Sequence, residues 1–124
     1  MPIALSDPSL LRTQAFLGGK WSDADSGATF AVCDPASGVE LARVPRCGAA
    51  ETQHAIEAAA AAQPVWRAST AAERAAVLRR FFALAVEHAE DLALLITHEQ
   101  GKPLAEARGE VSYAPGFLEW FAEK

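Results

Sequence analysis

The residue types that could support catalysis are concentrated in the segment His98 to Lys102, His-Glu-Gln-Gly-Lys. The segment begins like the HExxH pattern of zinc proteases, but a lysine occupies the position of the second histidine. A catalytic zinc ion needs three protein ligands, and His54, His88 and His98 show no i, i+4 pairing. We therefore do not expect a metal-dependent hydrolase.

Motifs for a nucleophile or a phosphate are also missing. Cys33 and Cys47 form no CxxC pair and have no neighbouring histidine, and Arg46 is the one residue that could favour a thiolate at Cys47. Neither G-x-G-x-x-G after a strand nor G-x-x-x-x-G-K-[ST] is present. In the absence of a secretory signal, we interpret both cysteines as reduced structural thiols.

The last segment combines acidic and aromatic side chains. Glu106 and Glu110 are spaced i, i+4, which is typical of a solvated helix face. Aromatic residues recur at steps of three and four, a stripe that is more typical of a core than of a binding pocket: Tyr113, Phe117, Trp120 and Phe121. A complete set of catalytic residues is therefore not visible.

The elements that position these residues change in type near Gly48. Before it, Gly18-Gly19 between two apolar pairs predicts a hairpin turn, and "ATFAVCD" and "VELARVP" predict two strands joined by "PASG". After it, an alanine-rich helix is expected to stop near Pro64. Residues 1–14 are predicted to be a loosely held arm.

A second helix is predicted to begin with the capping box Thr70 and Glu73. Its core-facing stripe is Val77, Leu78, Phe81, Phe82, Ala85 and Ala89. A break is expected near His88, and Gly101 and Pro103 are signals for the end of one helix and the start of the next.

Composition excludes several classes of function. With 51% hydrophobic and 22% charged residues, the 124-residue chain is typical of a soluble globular protein of one domain or less. A net charge of −5 with scattered basic residues disfavours nucleic acid. No stretch approaches the roughly 20 apolar residues of a membrane span, so the cytoplasm is the expected location.

Several of these segments together resemble the N-terminal part of the aldehyde dehydrogenase superfamily, and most of all its succinate-semialdehyde dehydrogenase branch. The segments are "FLGGKW", "DPASG", "PVWRA" and, with the highest specificity, "EQGKPLAEARGE" followed by "FLEWFAEK". The resemblance runs from about Phe16 to Lys124. It implies an α/β fold in which residues 15–124 are an incomplete, N-terminal section of the NAD(P)-binding, Rossmann-like domain, made of short hairpin strands and three to four helices.

The resemblance also implies a function for the parent protein. Such enzymes oxidise an aldehyde through a catalytic cysteine, pass hydride to NAD or NADP, and release the acid with a glutamate-activated water. These groups are expected beyond Lys124, and neither Cys33 nor Cys47 matches the catalytic position. The chain alone is therefore expected to be inactive, as a fragment, a truncated gene model or a disrupted gene, whereas the full-length enzyme is expected to be a homo-oligomer.

For individual residues, the resemblance implies two sites. Tyr113, Gly109 and Phe117 would border the substrate tunnel on the last helix. Glu99 and the carbonyl of Val32 would bind a structural monovalent cation, although Glu99 could equally cap a helix or form a salt bridge.

One departure from the family pattern is Pro115-Gly116, which predicts a kink or break between Ser112 and Phe117. The alternative to an enzyme segment is a non-catalytic helical interaction module or remnant, motivated by the missing nucleophile and by the apolar faces that would be exposed without a partner.

Overall fold

A computed structural model describes residues 3–124. Within this range, short strands precede helices. The strands are β1 (Ala15–Leu17), β2 (Lys20–Ser22), β3 (Thr29–Cys33) and β4 (Glu40–Pro45), and the helices are α1 (Ala49–Ala68), α2 (Ala71–Glu87), α3 (Ala89–Gln100) and α4 (Leu104–Ala122). The predicted division into a strand portion and a helical portion is confirmed.

The strands form two separate antiparallel pairs, and residues 3–124 contain no parallel sheet. In the first pair Leu17 lies opposite Lys20, so the connection is only Gly18-Gly19. Their φ angles of 56° and 82° are in the region that glycine adopts without a Cβ clash. In the second pair the register shifts between Val32 and Cys33. Both predicted hairpins are confirmed.

The helix boundaries follow local signals. The N–H of Glu73 donates to Thr70 Oγ1 at 3.2 Å and the N–H of Thr70 donates to Glu73 Oε2 at 2.7 Å, which is the predicted capping box. His88 separates α2 from α3. Gly101, with φ of 72°, ends α3, and Pro103 is the N-cap of α4. These predictions are confirmed.

Small side chains form the interior of the helical portion. Ala93 and Ala107 have no exposed surface and Val111 is 7% exposed. Four partly buried residues surround this cluster: Ala89, Leu92, Ile96 and Leu104. Because alanine allows two helix backbones to approach closely, α4 packs tightly on α3. No helix in the described part of the chain is long and apolar enough to cross a bilayer.

Two prolines lie inside helices, and neither ends its helix: the predicted stop near Pro64 and the predicted break at Pro115 are wrong. α1 continues past Pro64 to Ala68, and α4 is unbroken from Leu104 to Ala122 although it contains Pro115. A proline removes one backbone donor, but the helical conformation continues on both sides of it in α1 and α4. Pro115 is also buried on α4, so packing of its ring adds stabilisation.

The apolar stripes are less buried than predicted. In α2, Val77 is 43% and Phe81 is 58% exposed, so the stripe is core-facing only in part. The predicted core role of the aromatic residues of α4 is wrong, because the small residues on the opposite face of α4 are the buried ones. The exposed fractions are 71% for Tyr113, 50% for Phe117, 59% for Trp120 and 63% for Phe121.

Carboxylates attach the arm to the helices. Asp91, which is 4% exposed, accepts the N–H of Ser6 at 2.9 Å and the N–H of Asp7 at 2.8 Å. These two bonds hold the pKa of Asp91 below its ordinary value. The arm was expected to be loosely held, but it is fixed to α3 at these two residues; residues 1 and 2 lie outside the described range.

The strands are attached in the same way. Glu51 of α1 accepts the N–H of Gly48 at 2.8 Å and that of Asp25, in the loop after β2, at 2.9 Å. Asp34, at the end of β3, accepts two N–H groups of its own turn and lies 3.4 Å from His98 Nδ1 on α3. Carboxylates therefore connect each hairpin to the helical portion.

Candidate functional site

Helix α4 has a buried face and an exposed face. Its buried residues recur along one side of the helix: Ala107, Val111, Pro115 and Ala122. Since side chains three and four apart share a face, the aromatic residues must lie on the other side. We call Tyr113, Phe117, Trp120 and Phe121 the aromatic face; it is a wide apolar surface without a partner in the described residues.

The three residues predicted for the substrate tunnel lie together on this side of α4. The ring centroids of Tyr113 and Phe117 are 5.0 Å apart with an interplanar angle of 87°, an edge-to-face contact. Gly109 is one turn before Tyr113, and a Cβ placed on it would meet no atom within 4 Å. α4 thus presents an aromatic pair that begins one turn after a position with free space.

Two ion pairs involve the beginning of α4. Arg108 Nε donates to Glu90 Oε2 of α3 at 2.9 Å, and Lys102 pairs with Glu110. The hydrogen bond from Arg108 lowers the pKa of Glu90, and the same contact raises the pKa of Arg108. The sequence analysis placed Glu110 on a solvated face and did not predict its pair with Lys102. Lys102 lies before the start of α4, so the spacing rules for two residues of one helix do not apply to this pair.

A groove of about 600 Å³ lies beside the same helix. Its walls include Leu95 and Ile96 of α3 and Leu118 of α4, together with the carboxylate residues Glu99 and Glu110. The groove is mainly apolar, so it is suited to a hydrophobic chain segment or a hydrocarbon tail.

The two predicted cation-site residues approach from different elements. Glu99 is an exposed residue in the last turn of α3, and Val32 is a half-buried residue of β3. The β3–β4 turn contacts the end of α3 through Asp34 and His98, and a Cβ on Gly101 would lie 2.8 Å from Pro35 Cγ. The fold therefore brings the elements that contain these residues to the same corner, where the ladder of β3 and β4 is also irregular.

The remaining candidates for chemistry are the metal-ligating side chains and the two cysteines of the described range. Within residues 3–124, no group of three or more His, Cys, Asp or Glu side chains could hold a metal ion. Cys33 and Cys47 are both free and exposed. The described residues thus contain two unpaired thiols.

Comparison with known proteins decides the family. The family model described as "Aldehyde dehydrogenase family" matches residues 21–124. The chain belongs to the aldehyde dehydrogenase family. Glutarate-semialdehyde dehydrogenase of Pseudomonas putida is 57% identical over 120 residues, which is 97% of this chain and 25% of that protein. The NADP-dependent succinate-semialdehyde dehydrogenase of Escherichia coli K12 is 56% identical over the same shares of the two chains.

Solved structures agree. A succinate-semialdehyde dehydrogenase from Burkholderia pseudomallei superposes with a TM-score of 0.94 and 62% identity, covering 97% of this chain and 25% of that one. This aldehyde dehydrogenase chain thus spans about a quarter of the length of the relatives that it matches, and the predicted fold class is confirmed.

The strands of this aldehyde dehydrogenase chain are all antiparallel within the described range. Residues 3–124 contain two antiparallel hairpins and no parallel sheet, and the sequence has no glycine-rich turn between a strand and a helix.

Proposed function

We propose that this chain is the N-terminal section of an NAD- or NADP-dependent aldehyde dehydrogenase that oxidises a semialdehyde, with succinate semialdehyde to succinate as the first candidate reaction. This proposal is supported by the similarity of the chain to two semialdehyde dehydrogenases, which are 57% and 56% identical to it over 97% of its length. The cofactor would be bound mainly by segments other than residues 3–124. The parent enzyme would be a cytoplasmic homo-oligomer.

The direct experiment uses the complete reading frame that contains this chain. The purified protein is mixed with succinate semialdehyde and NAD or NADP, and formation of the reduced nicotinamide is followed by its absorbance. Reduction that depends on the aldehyde is the expected result. No reduction with succinate semialdehyde, glutarate semialdehyde or simple aldehydes would remove the proposal and favour the interaction module.

Within this enzyme, Tyr113, Gly109 and Phe117 would form one wall of the substrate channel. The observation that supports this role is the exposed edge-to-face pair beside the free space at Gly109. An aromatic wall excludes water and orients a short carbon chain, and the missing side chain at Gly109 leaves room for it.

Gly109→Ala separates this role from helix stability. Alanine is about 1 kcal/mol more favourable than glycine inside a helix, and its Cβ meets no atom of residues 3–124, so the helix itself should become more stable. We nevertheless expect KM for succinate semialdehyde to rise about tenfold, because the added methyl group would displace the substrate from its position in the channel.

Gly116→Ala is the matched control, because Gly116 is in the same helix with equally free space. It lies seven residues, or about 10 Å, farther along α4. Equal kinetic effects of the two substitutions would contradict the placement of the wall at Gly109.

We also propose that Glu99 and the carbonyl of Val32 bind a monovalent cation such as Na⁺ or K⁺. A carboxylate and a backbone carbonyl are the oxygen ligands that hard cations prefer. Glu99→Gln should remove a dependence of thermal stability on Na⁺ or K⁺, measured with tetramethylammonium chloride at equal ionic strength as reference. Glu106→Gln, an exposed acid of α4, is the control; the same loss in both variants would point to a general salt effect.

A further inference from the structure

A small polar cavity of about 310 Å³ lies where the arm meets the junction of α2 and α3. Residues of the arm and of both helices line it: Ser6, Asp7, Glu87, His88, Glu90 and Asp91. Among these described lining residues, four carry a carboxylate and His88 alone can carry a positive charge. A single imidazole among carboxylates is an arrangement in which one proton changes the local balance of charge.

Two of these carboxylates hold the arm in its conformation. Asp91 accepts the N–H groups of Ser6 and Asp7, and the Asp7 side chain accepts the N–H of Ser9 at 2.9 Å. These hydrogen bonds lower the pKa of Asp91 and that of Asp7, and a positive charge on His88 lowers both further. Both carboxylates are therefore ionised at neutral pH, so the charge that varies in this range is that of His88.

The backbone fixes His88 between the two helices. Its N–H donates to the carbonyl of Leu84 and its carbonyl accepts the N–H of Leu92, both at 3.0 Å. His88 is the C-cap of α2, a place that favours a cation, and also the N-cap of α3, a place that disfavours one. Because the two helix ends oppose each other, the surrounding carboxylates decide whether a proton on His88 is stabilising.

We propose that His88 makes the attachment of the arm to α3 dependent on pH near neutrality: the protonated imidazole attracts the carboxylates of Asp7 and Asp91 and holds the arm more tightly than the neutral ring does. The attraction is present while the imidazole is protonated. It is lost as the pH rises through the range in which histidines release their proton, between about pH 5 and 8.

The other charged groups around His88 leave its surroundings negative. Glu87 of α2 adds a further carboxylate to the cavity. Glu90 of α3 is paired with Arg108 of α4, which compensates its charge. Arg12 of the arm adds a positive charge that acts on Asp7, and its guanidinium lies 5.0 Å from the ring centroid of Trp21. The carboxylates outnumber these cations, so a proton on His88 should be favourable.

The test is amide exchange of the arm in the full-length protein between about pH 5.5 and 8, corrected for the intrinsic exchange rate. Protection of the Ser6 and Asp7 amides should fall about threefold over this range, which is the size typical of one partly exposed ion pair. Amides of α4 should keep their protection. His88→Gln should show the lower protection of the arm at every pH, whereas His88→Lys, which keeps a positive charge, should retain the higher protection throughout.

His54→Gln is the matched control, because His54 is an exposed histidine of α1; this variant should keep the pH dependence of the parent. Constant protection of the arm in the parent, or the parent's pH dependence in His88→Gln, would overturn the inference. Equal effects of the His54 and His88 substitutions would overturn it as well. If His88→Gln also loosens α4, His88→Lys decides, since it should abolish the pH dependence of the arm with α4 intact.

Discussion

The helical portion and the strand portion of this chain are held in place by different physical interactions. α3 and α4 meet through side chains as small as Ala93 and Ala107, which have no exposed surface. The arm and the hairpins are instead connected to the helices by carboxylates, and Glu51 and Asp91 are the buried charged residues of the described range. Close packing is sensitive to volume, whereas a carboxylate that accepts N–H donors is sensitive to protonation.

This difference has a consequence for the candidate site. The residues of α4 that we assign to the substrate channel, Tyr113, Gly109 and Phe117, belong to the tightly packed portion. Their orientation therefore depends on contacts between helices. The corner that we assign to a cation joins the two portions, where Asp34 meets His98 and Pro35 meets Gly101. Changes of volume should therefore disturb the first site, and acid should disturb the second.

The largest effect is expected from Ala107→Leu. A larger side chain at a position without exposed surface forces α4 away from α3 and should cost about 1–3 kcal/mol. Amide hydrogen exchange of α4, measured by mass spectrometry on the full-length protein, reports this loss. Ala105→Leu, at an exposed position of the same helix, should leave exchange almost unchanged. Similar effects of the two variants would contradict the proposed interior.

The second prediction concerns acid. The pKa of Asp91 is lowered by the N–H groups of Ser6 and Asp7, that of Glu51 by the N–H groups of Gly48, Glu51 itself and Asp25, and that of Asp34 by the N–H groups of Ser37 and Ala36. A lowered pKa in the folded state means that the stabilisation is complete above the ordinary values, 3.8 for Asp and 4.5 for Glu. It is lost as the pH falls through the lowered pKa values.

We therefore expect the arm and strands to lose amide protection at a higher pH than α3 and α4 do. The measurement is amide exchange over a series of acidic pH values, corrected for the intrinsic exchange rate. At neutral pH, Asp91→Asn should reproduce the effect locally, because Asn has only one acceptor oxygen and its NH2 group would face the second N–H. Exchange at Ser6 and Asp7 should become at least about tenfold faster.

Glu90→Gln is the control for Asp91→Asn. Glu90 is adjacent in sequence but exposed, and it binds Arg108 instead of the arm. If the Ser6 and Asp7 amides exchange at the parent rate in Asp91→Asn, or if all elements open together in acid, then the proposed division of the chain by type of interaction is incorrect.

The sequence could predict those features that depend on nearby residues. The turn at Gly18-Gly19, the capping box of Thr70 and Glu73, and the end of α3 at Gly101 are each decided within a few positions, so their signals are complete in the local sequence. The same holds for the aromatic face, since helical spacing alone places Tyr113 and Phe117 on one side.

Features that depend on distant residues could not be predicted. Asp91 accepts bonds from residues 85 and 84 positions away, and an aspartate in the first turn of a helix is ordinarily explained by the helix dipole. Which side of α4 is buried was also unpredictable, because large aromatic side chains suggest a core and the helices here meet through alanines. The break predicted at Pro115 is absent for the related reason that its ring is buried.

The smallest expected effect comes from the two helix prolines and compares the packed helix with an exposed one. Pro115 is buried in α4 and Pro64 is exposed in α1. Alanine at either position restores a backbone donor and gains helix propensity. At Pro115 the change also removes two buried methylene groups, at about 0.8 kcal/mol each. Pro64→Ala should therefore stabilise its helix by about 1–2 kcal/mol more than Pro115→Ala does.

Local amide exchange in α1 and α4 measures both gains in the same protein. The kinetic constants with succinate semialdehyde add a second comparison, because Pro115 is two residues from Tyr113 and Pro64 is in a different helix. If the proline ring helps to orient the aromatic face, KM changes in Pro115→Ala and stays at the parent value in Pro64→Ala. Equal stabilisation with unchanged KM in both variants would mean that Pro115 contributes no packing, and that the buried side of α4 consists of Ala107, Val111 and Ala122.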